Sequence, residues 1–347
     1  MLPTYLQLCT LLFGLAILGG CQQGSDSSSS NGLLIKTEQP PSLKPPKAGT
    51  ALQDFASLTD VKEKKSAFFD YLEPQIEQEN KHIAELHAQF SALQLLLRKQ
   101  GQLHPVDADW LNRTAKLYRV DETDPAKQLQ TLKAKVGTIP AALVKAQAAN
   151  ESAWGTSRFA REANNLFGQW CFTPGCGIAP KQRNPGDTHE VQSFPSVAAG
   201  LRSYFVNLNG HQSYADMRQI RRCLQSSQKT YSGRALAAGL VNYSARGGHY
   251  VDELQSMIRI NELEPWHTNW WGENNPEHPC YDLVQVEADH PDPVKANTEA
   301  TAEVTIEAKT SSETKPEATL ATLKQALATT SAALQSATTN PASLPKQ

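Results

Sequence analysis

Apolar positions recur at helical spacing between residues 51 and 135. Phe68, Phe69, Tyr71, Leu72, Ile76, Ile83, Leu86 and Phe90 fall near one period, with charges between them. That pattern predicts amphipathic helix, and Pro74 inside it is expected to kink or divide the helix. Leu93 to Leu97 leads into Arg98-Lys99-Gln100-Gly101, a C-terminal stop, and Trp110, Leu111, Leu117 and Tyr118 predict one more helix. Glu77, Glu79 and Glu85 are expected on a solvated face. His82 and His87 are five apart, which is not the spacing of a helical metal pair. Residues 51–135 thus look like a helical packing and spacer region.

The pattern changes over residues 136–265. Pro140 suits a first helical turn, and the stretch from Ala141 to Ser152 is almost all small or apolar. A helix of that kind is buried on most sides, and it carries Glu151 at its end. A carboxyl placed there either pairs with a cation or keeps a raised pKa and serves as a proton donor. The negative partial charge of a helix C-terminus pushes the pKa the same way. Gly155 ends the turn, and Thr156 or Ser157 caps a second short helix over 158–163. Asn164, Asn165, Phe167, Gln169 and Trp170 follow, a mixture of amides and rings that suits sugar binding but also suits a capped loop.

Residues 177–183 and 188–194 flank Asn184-Pro185-Gly186-Asp187, so a β-hairpin with a type II turn is expected. Alternation puts Val191 on one face, and Glu190 on the other beside Thr188 and Gln192. Helices are expected over 196–209, 233–240 and 250–263. Tyr243 and Tyr250 bracket a glycine-containing loop that shapes a pocket or simply packs.

The two ends differ from this middle. Residues 1–21 hold no charged residue and contain an apolar run, Leu11 to Leu18, followed by Gly19-Gly20-Cys21. The run is too short for an ordinary span and reads as a signal-peptide core. Leu18-Gly19-Gly20-Cys21 resembles a bacterial lipobox, which implies lipidation at Cys21, and Gln22 after it favours outer-membrane sorting. The expected location is the periplasmic side of a Gram-negative envelope. Residues 22–50 contain six Ser, four Pro, three Gly and no aromatic residue, and are expected to form a disordered tether. Residues 286–347 contain 13 Ala, 11 Thr and no aromatic residue, the pattern of a disordered tail after a C-terminal extension over 266–285. Leu320, Leu323, Leu327 and Leu334 could line a weak helix there.

The formal charge of the 347 residues is −2, which disfavours nucleic acid as a partner. Residues 136–265 carry 13 Lys and Arg against 9 Asp and Glu, a mild excess that suits an acidic glycan. Outside the leader, Cys171, Cys176, Cys223 and Cys280 are disulfide candidates in an exported chain. Cys171 and Cys176 flank a short turn and could close a small loop, leaving Cys223 and Cys280 to pair. Zinc spacing is absent, and no metal or organic cofactor is implied.

Gln147-Ala-Ala-Asn-Glu151-Ser-Ala-Trp-Gly-Thr-Ser-Arg-Phe-Ala-Arg161, followed by Asn164-Asn-Leu-Phe-Gly168, resembles the signature of bacterial endo-β-N-acetylglucosaminidases of glycoside hydrolase family 73. Gly168 through Gly177, Thr188-His-Glu190-Val and Ala237-Ala-Gly-Leu240 resemble its Bax-like branch. The resemblance covers about residues 136–265 strongly and residues 60–80 more weakly. It implies an α+β, mostly α fold: a lysozyme-like helical domain with a small β-hairpin lobe. It implies Glu151 as catalytic acid and Glu190 as the second carboxylate. Tyr243 matches the first tyrosine of the family's Tyr-Ala-x-Asp-Pro-x-Tyr segment, although the Asp-Pro is missing here.

The expected reaction is hydrolysis of β-1,4 bonds after N-acetylglucosamine in peptidoglycan, with Glu190 as general base in the second role, or the substrate's own N-acetyl group oriented by Glu190 or by Tyr243, the third catalytic candidate. A transglycosylase or muramidase on the same fold, and a non-catalytic wall-binding lipoprotein, are the alternatives. The chitobiose core of an N-glycan is a further possible substrate, but a periplasm-facing lipoprotein meets peptidoglycan first. Asn165, Phe167, Gln169, Trp170 and Tyr250 are the candidate substrate contacts. Nothing in the sequence fixes the oligomeric state.

Overall fold

The computed structural model describes residues 34–46, 51–181, 188–227, 232–265 and 276–285. The leader with Cys21, the start of the tether, the 184–187 turn and the tail with its leucines lie outside the described residues. The fold is mostly α with one small sheet. In order it comprises α1 (Val61–Gln100), α2 (Pro105–Leu117), α3 (Pro125–Lys135), α4 (Ala141–Ser152), α5 (Arg158–Ala163), β1 (Trp170–Cys171), β2 (Gly177–Ile178), β3 (Glu190–Gln192), α6 (Val197–Gly210), α7 (Ala215–Ser227), α8 (Gly233–Ala237), a 3-10 turn (Ala238–Tyr243), α9 (Gly248–Ile260) and α10 (Tyr281–Val284). The sheet order is β1-β3-β2, antiparallel, with Trp170 opposite Val191 and Ile178 also paired to Val191. The expected hairpin pairing is present, joined by a third strand.

Pro74 does not divide α1, which runs unbroken for 40 residues. Its ring removes the N–H that would reach the Asp70 carbonyl, and Asp70 is exposed, so that carbonyl is open to solvent. The Gln75 side chain then donates to the next carbonyl, that of Tyr71, at 3.0 Å. Asp60 caps the start through the Glu63 N–H, and Gly101, at φ 74°, ends the helix. Helices α3 and α7 have no counterpart in the sequence reading.

One apolar core runs from Phe55 to Ile258, so α1 to α3 share it with the later helices. Glu79 is a correction. It is buried in that core and pairs with Arg202 of α6 at 2.5 Å. Burial raises its pKa, and the Arg202 guanidinium opposes that shift. Glu77 and Glu85 do face solvent.

Residues 34–46 are the second correction, because this part of the expected tether lies against the body. Ile35 exchanges both backbone hydrogen bonds with the Gln100 amide. Thr37 donates to Asp107 from its N–H and hydroxyl, and the Trp110 indole N–H donates to the Pro41 carbonyl at 2.9 Å. Leu43 then packs on the core. The low aromatic content of the segment hid these bonds, which are made mainly to its backbone.

Removing one partner of the Glu79–Arg202 pair strands a buried charge. The Glu79→Ala variant is expected to lose about 3 kcal/mol of stability, read from the denaturant midpoint. A Glu79→Met, Arg202→Met double variant should recover most of that loss.

Candidate active site

Helix α4 enters the core through a clamped segment. The Asn80 amide bonds both the N–H and the C=O of Ile139, at 3.0 and 2.9 Å. The Asn209 amide does the same for Gly137, at 3.1 and 3.0 Å. The buried Arg221 of α7 donates to the carbonyls of Lys135 and Gly137 and to Asn209 Oδ1. A Cβ at Gly137 would fall 2.6 Å from the Arg221 guanidinium carbon, so glycine is needed there.

From that clamp α4 runs between α1, α8 and α9. Ala142, Leu143, Val144, Ala146, Gln147, Ala148, Ala149 and Ser152 are all buried. The Ser152 hydroxyl donates to Ala148 C=O and accepts from Gly155 N–H, closing the helix end. Ala153, Trp154 and Gly155 then turn through left-handed conformations, at φ 50°, 60° and 74°. Two of the three are not glycine, so the turn is strained and must be held by packing. Trp154 supplies that packing. Its ring meets Phe68 and Phe69 of α1 edge-on, with Lys65 Nζ over its face at 4.9 Å.

Glu151 sits on the last turn before this strained segment. Burial is the main cause that raises its pKa. Hydrogen bonds from Tyr250 and Asn150 and the charge of Arg246 work against that, and Glu253 adds to it. Gly168, at φ 64°, faces the carboxylate: a Cβ there would lie 3.8 Å from Glu151 Oε2.

A chain of hydrogen bonds ends on this carboxyl. Tyr204 O–H donates to Gln147 Oε1 at 2.6 Å, and Gln147 Nε2 donates to the Tyr250 oxygen at 2.9 Å. The Tyr250 hydroxyl hydrogen is then left for Glu151, its other partner. Burial raises the pKa of both tyrosines, so their protons stay in place. Sequence reasoning missed Gln147 and Tyr204. Gln147 had a signal, since it stands one helical turn before Glu151 on the same face.

The other expected residues take varied places. Tyr250 is fully buried and is hydrogen-bonded to Glu151. Asn165 is 1% exposed and also serves structure. Its Nδ2 donates to the Gln169 and Gln192 carbonyls, and its Oδ1 accepts from Phe167 and Gln169 N–H. That amide ties the loop to β3 and has no capacity left for a sugar. Phe167 is buried and stacks on Tyr204 at 4.0 Å, so it is core. The Tyr243 ring stacks on Tyr250 at 5.5 Å, and its O–H donates to the Phe167 carbonyl. Trp170 is 58% exposed and lies flat on His189 at 4.0 Å, which leaves a ring face for a ligand. The Gln169 side chain donates to the Gly200 carbonyl and lines a polar cavity beside Trp170.

Glu190 bonds backbone groups of the neighbouring loop. Its two oxygens accept the N–H groups of Gly175, at 3.1 Å, and Gly177, at 2.8 Å. The loop it holds is closed by a Cys171–Cys176 disulfide, and Cys223 of α7 is joined to Cys280. Cys171 and Cys176 lie within ligand distance of Glu190, but disulfide sulfurs offer no thiolate to a metal.

Residues 126–263 match the family model of mannosyl-glycoprotein endo-β-N-acetylglucosaminidase, the glucosaminidase family. The chain is also 30% identical over 265 residues to protein bax of Escherichia coli strain K12, covering 74% of this chain and 93% of that protein. The chain belongs to the glucosaminidase family. No solved structure matches it. Membership makes it a glycoside hydrolase in kind, with a glycan as substrate. The 265-residue similarity is longer than the family-matched stretch, so it takes in sequence beyond the glucosaminidase domain.

The raised pKa of Glu151 carries a sign. A carboxyl whose folded pKa lies above its unfolded value withdraws stability as pH climbs between the two. The Glu151→Gln variant escapes that loss. Its melting temperature should exceed that of the wild type at pH 7 and equal it near pH 4, as calorimetry would show. Tyr250→Phe removes a hydrogen bond that favours the carboxylate, so the alkaline limb of activity should move to higher pH.

Proposed function

We propose that the protein is an endo-β-N-acetylglucosaminidase that hydrolyses β-1,4 bonds after N-acetylglucosamine in peptidoglycan, with Glu151 as general acid. The observation that carries this is the half-buried carboxyl at the end of α4, with its pKa raised by desolvation and its position fixed by Tyr250. Such a group stays protonated to higher pH than an ordinary glutamate and can give its proton to a leaving sugar oxygen. The exposed Trp170 face supports a sugar ligand close by.

The second role falls to the substrate. Both Glu190 oxygens already accept backbone N–H groups, which favours an anchor for the disulfide loop over a general base. In the substrate-assisted route the N-acetyl carbonyl oxygen attacks the anomeric carbon as the glycosidic bond breaks. Glu151 protonates the departing oxygen. It then takes a proton from the water that opens the cyclic intermediate, and is restored.

Two disulfides support an exported location, since such bonds persist in oxidising compartments. Together with the lipobox-like Leu18-Gly19-Gly20-Cys21, they favour a lipoprotein of the periplasmic face.

The test is mass spectrometry of muropeptides released from purified sacculi. Wild type should yield reducing N-acetylglucosamine ends, and Glu151→Gln should release about a thousandfold less. Ends carrying 1,6-anhydromuramic acid would sink the reading in favour of a transglycosylase. Full activity in the Glu151→Gln variant would remove the acid assignment.

A further inference from the structure

The polar cavity beside Trp170, of about 210 Å³, is not built from the family-matched region alone. Gln169, Trp170, Gln192, Ser203 and Asn207 line it from that region, and Arg119 lines it from the turn after α2. Arg119 is the charged residue of this lining, which includes no acid. It is exposed and makes no ion pair among the described residues.

Its backbone is unusual for a side chain of this size. Arg119 adopts φ 56°, in the left-handed region. Its carbonyl accepts from Lys135 Nζ at 2.8 Å, and its N–H donates to the Lys116 carbonyl. The turn therefore holds a guanidinium at the cavity in a conformation that costs free energy for a non-glycine residue.

The cavity connects to the candidate acid. Gln169 directly follows Gly168, which faces the Glu151 carboxylate. Asn207 on the cavity wall is hydrogen-bonded to Tyr214. Tyr214 meets Tyr243 at 5.8 Å between ring centroids, and Tyr243 stacks on Tyr250, the partner of Glu151.

We infer that Arg119 completes a subsite for a carboxylate borne by the glycan, so that the protein selects acidic sugar chains over neutral ones. A guanidinium with no ion-pair partner among the described residues, facing amides, a hydroxyl and an open ring, matches a sugar that carries an acid on a side branch. Amides bond hydroxyl and N-acetyl groups, Trp170 covers a sugar face, and Arg119 binds the acid. In peptidoglycan that acid is either the lactyl group or the peptide attached to it. This rests on the reading of the protein as a peptidoglycan hydrolase.

The experiment measures equilibrium binding by calorimetry in the Glu151→Gln background, which leaves the probes uncut. Three tetrasaccharides serve as probes: peptidoglycan fragments with stem tripeptides, the same fragments stripped of peptide, and neutral chitotetraose. Adding Arg119→Gln should weaken an acidic probe more than tenfold and chitotetraose less than threefold. Arg119→Lys should restore part of the loss. Selective weakening of the tripeptide probe names the peptide acid, and selective weakening of the stripped probe names the lactyl acid. Equal weakening of all three probes, or none, overturns the inference. Failure of the Glu151→Gln variant to bind any probe would overturn the hydrolase reading and the subsite with it. Binding without selectivity would overturn the subsite alone.

Discussion

The structure depends on keeping α4 dry along nearly its whole length. A helix of small and apolar residues enclosed by α1, α8 and α9 leaves only Ala141, Lys145, Asn150 and Glu151 partly exposed, so the carboxyl at its end is partly desolvated. The clamp of Asn80, Asn209 and Arg221 on residues 135–139 fixes where the helix begins. The aromatic cluster around Trp154 fixes the strained turn after it. With both ends held, the Glu151 carboxyl has little freedom of position, and its environment follows from the packing.

Glu151 and Glu190 show how one side-chain chemistry is sent to two uses. Glu151 has apolar surroundings and a tyrosine donor, and burial outweighs the hydrogen bonds. Glu190 has two backbone N–H donors within hydrogen-bond distance, which tie its carboxylate to the loop. The hydrogen-bond series from Tyr204 through Gln147 to Tyr250 also has a fixed direction. Gln147 donates through Nε2, so Tyr250 can only pass its own hydrogen onward to the carboxyl.

Helix α4, the Ser157 cap, α5 and the pairing of Val191 were legible because each rests on local rules: small-residue runs, capping and alternation. Helix α7 was not legible, because its apolar positions Met217, Ile220 and Leu224 are outnumbered by polar ones. Its Arg221 looks like surface in the sequence, yet it is buried against three carbonyl groups and an amide. Glu79 misled for the same reason, since its partner Arg202 lies 123 positions away. Asn165, Phe167 and Tyr250 were legible as a group but not by role. Composition marks which residues gather at a sugar site, whereas only their contacts tell a wall from its supports.

The strap formed by residues 34–46 begins at the end of α1 and passes over α2. It starts at Gln100, the last residue of the helix, while Phe69 near the other end touches Trp154. The 30 intervening residues of helix span about 45 Å at 1.5 Å each. Anything that holds the chain by its upstream end therefore holds the glutamate turn at the far end of a rigid rod. The helix acts as a ruler between the first residues of the strap and the glutamate turn.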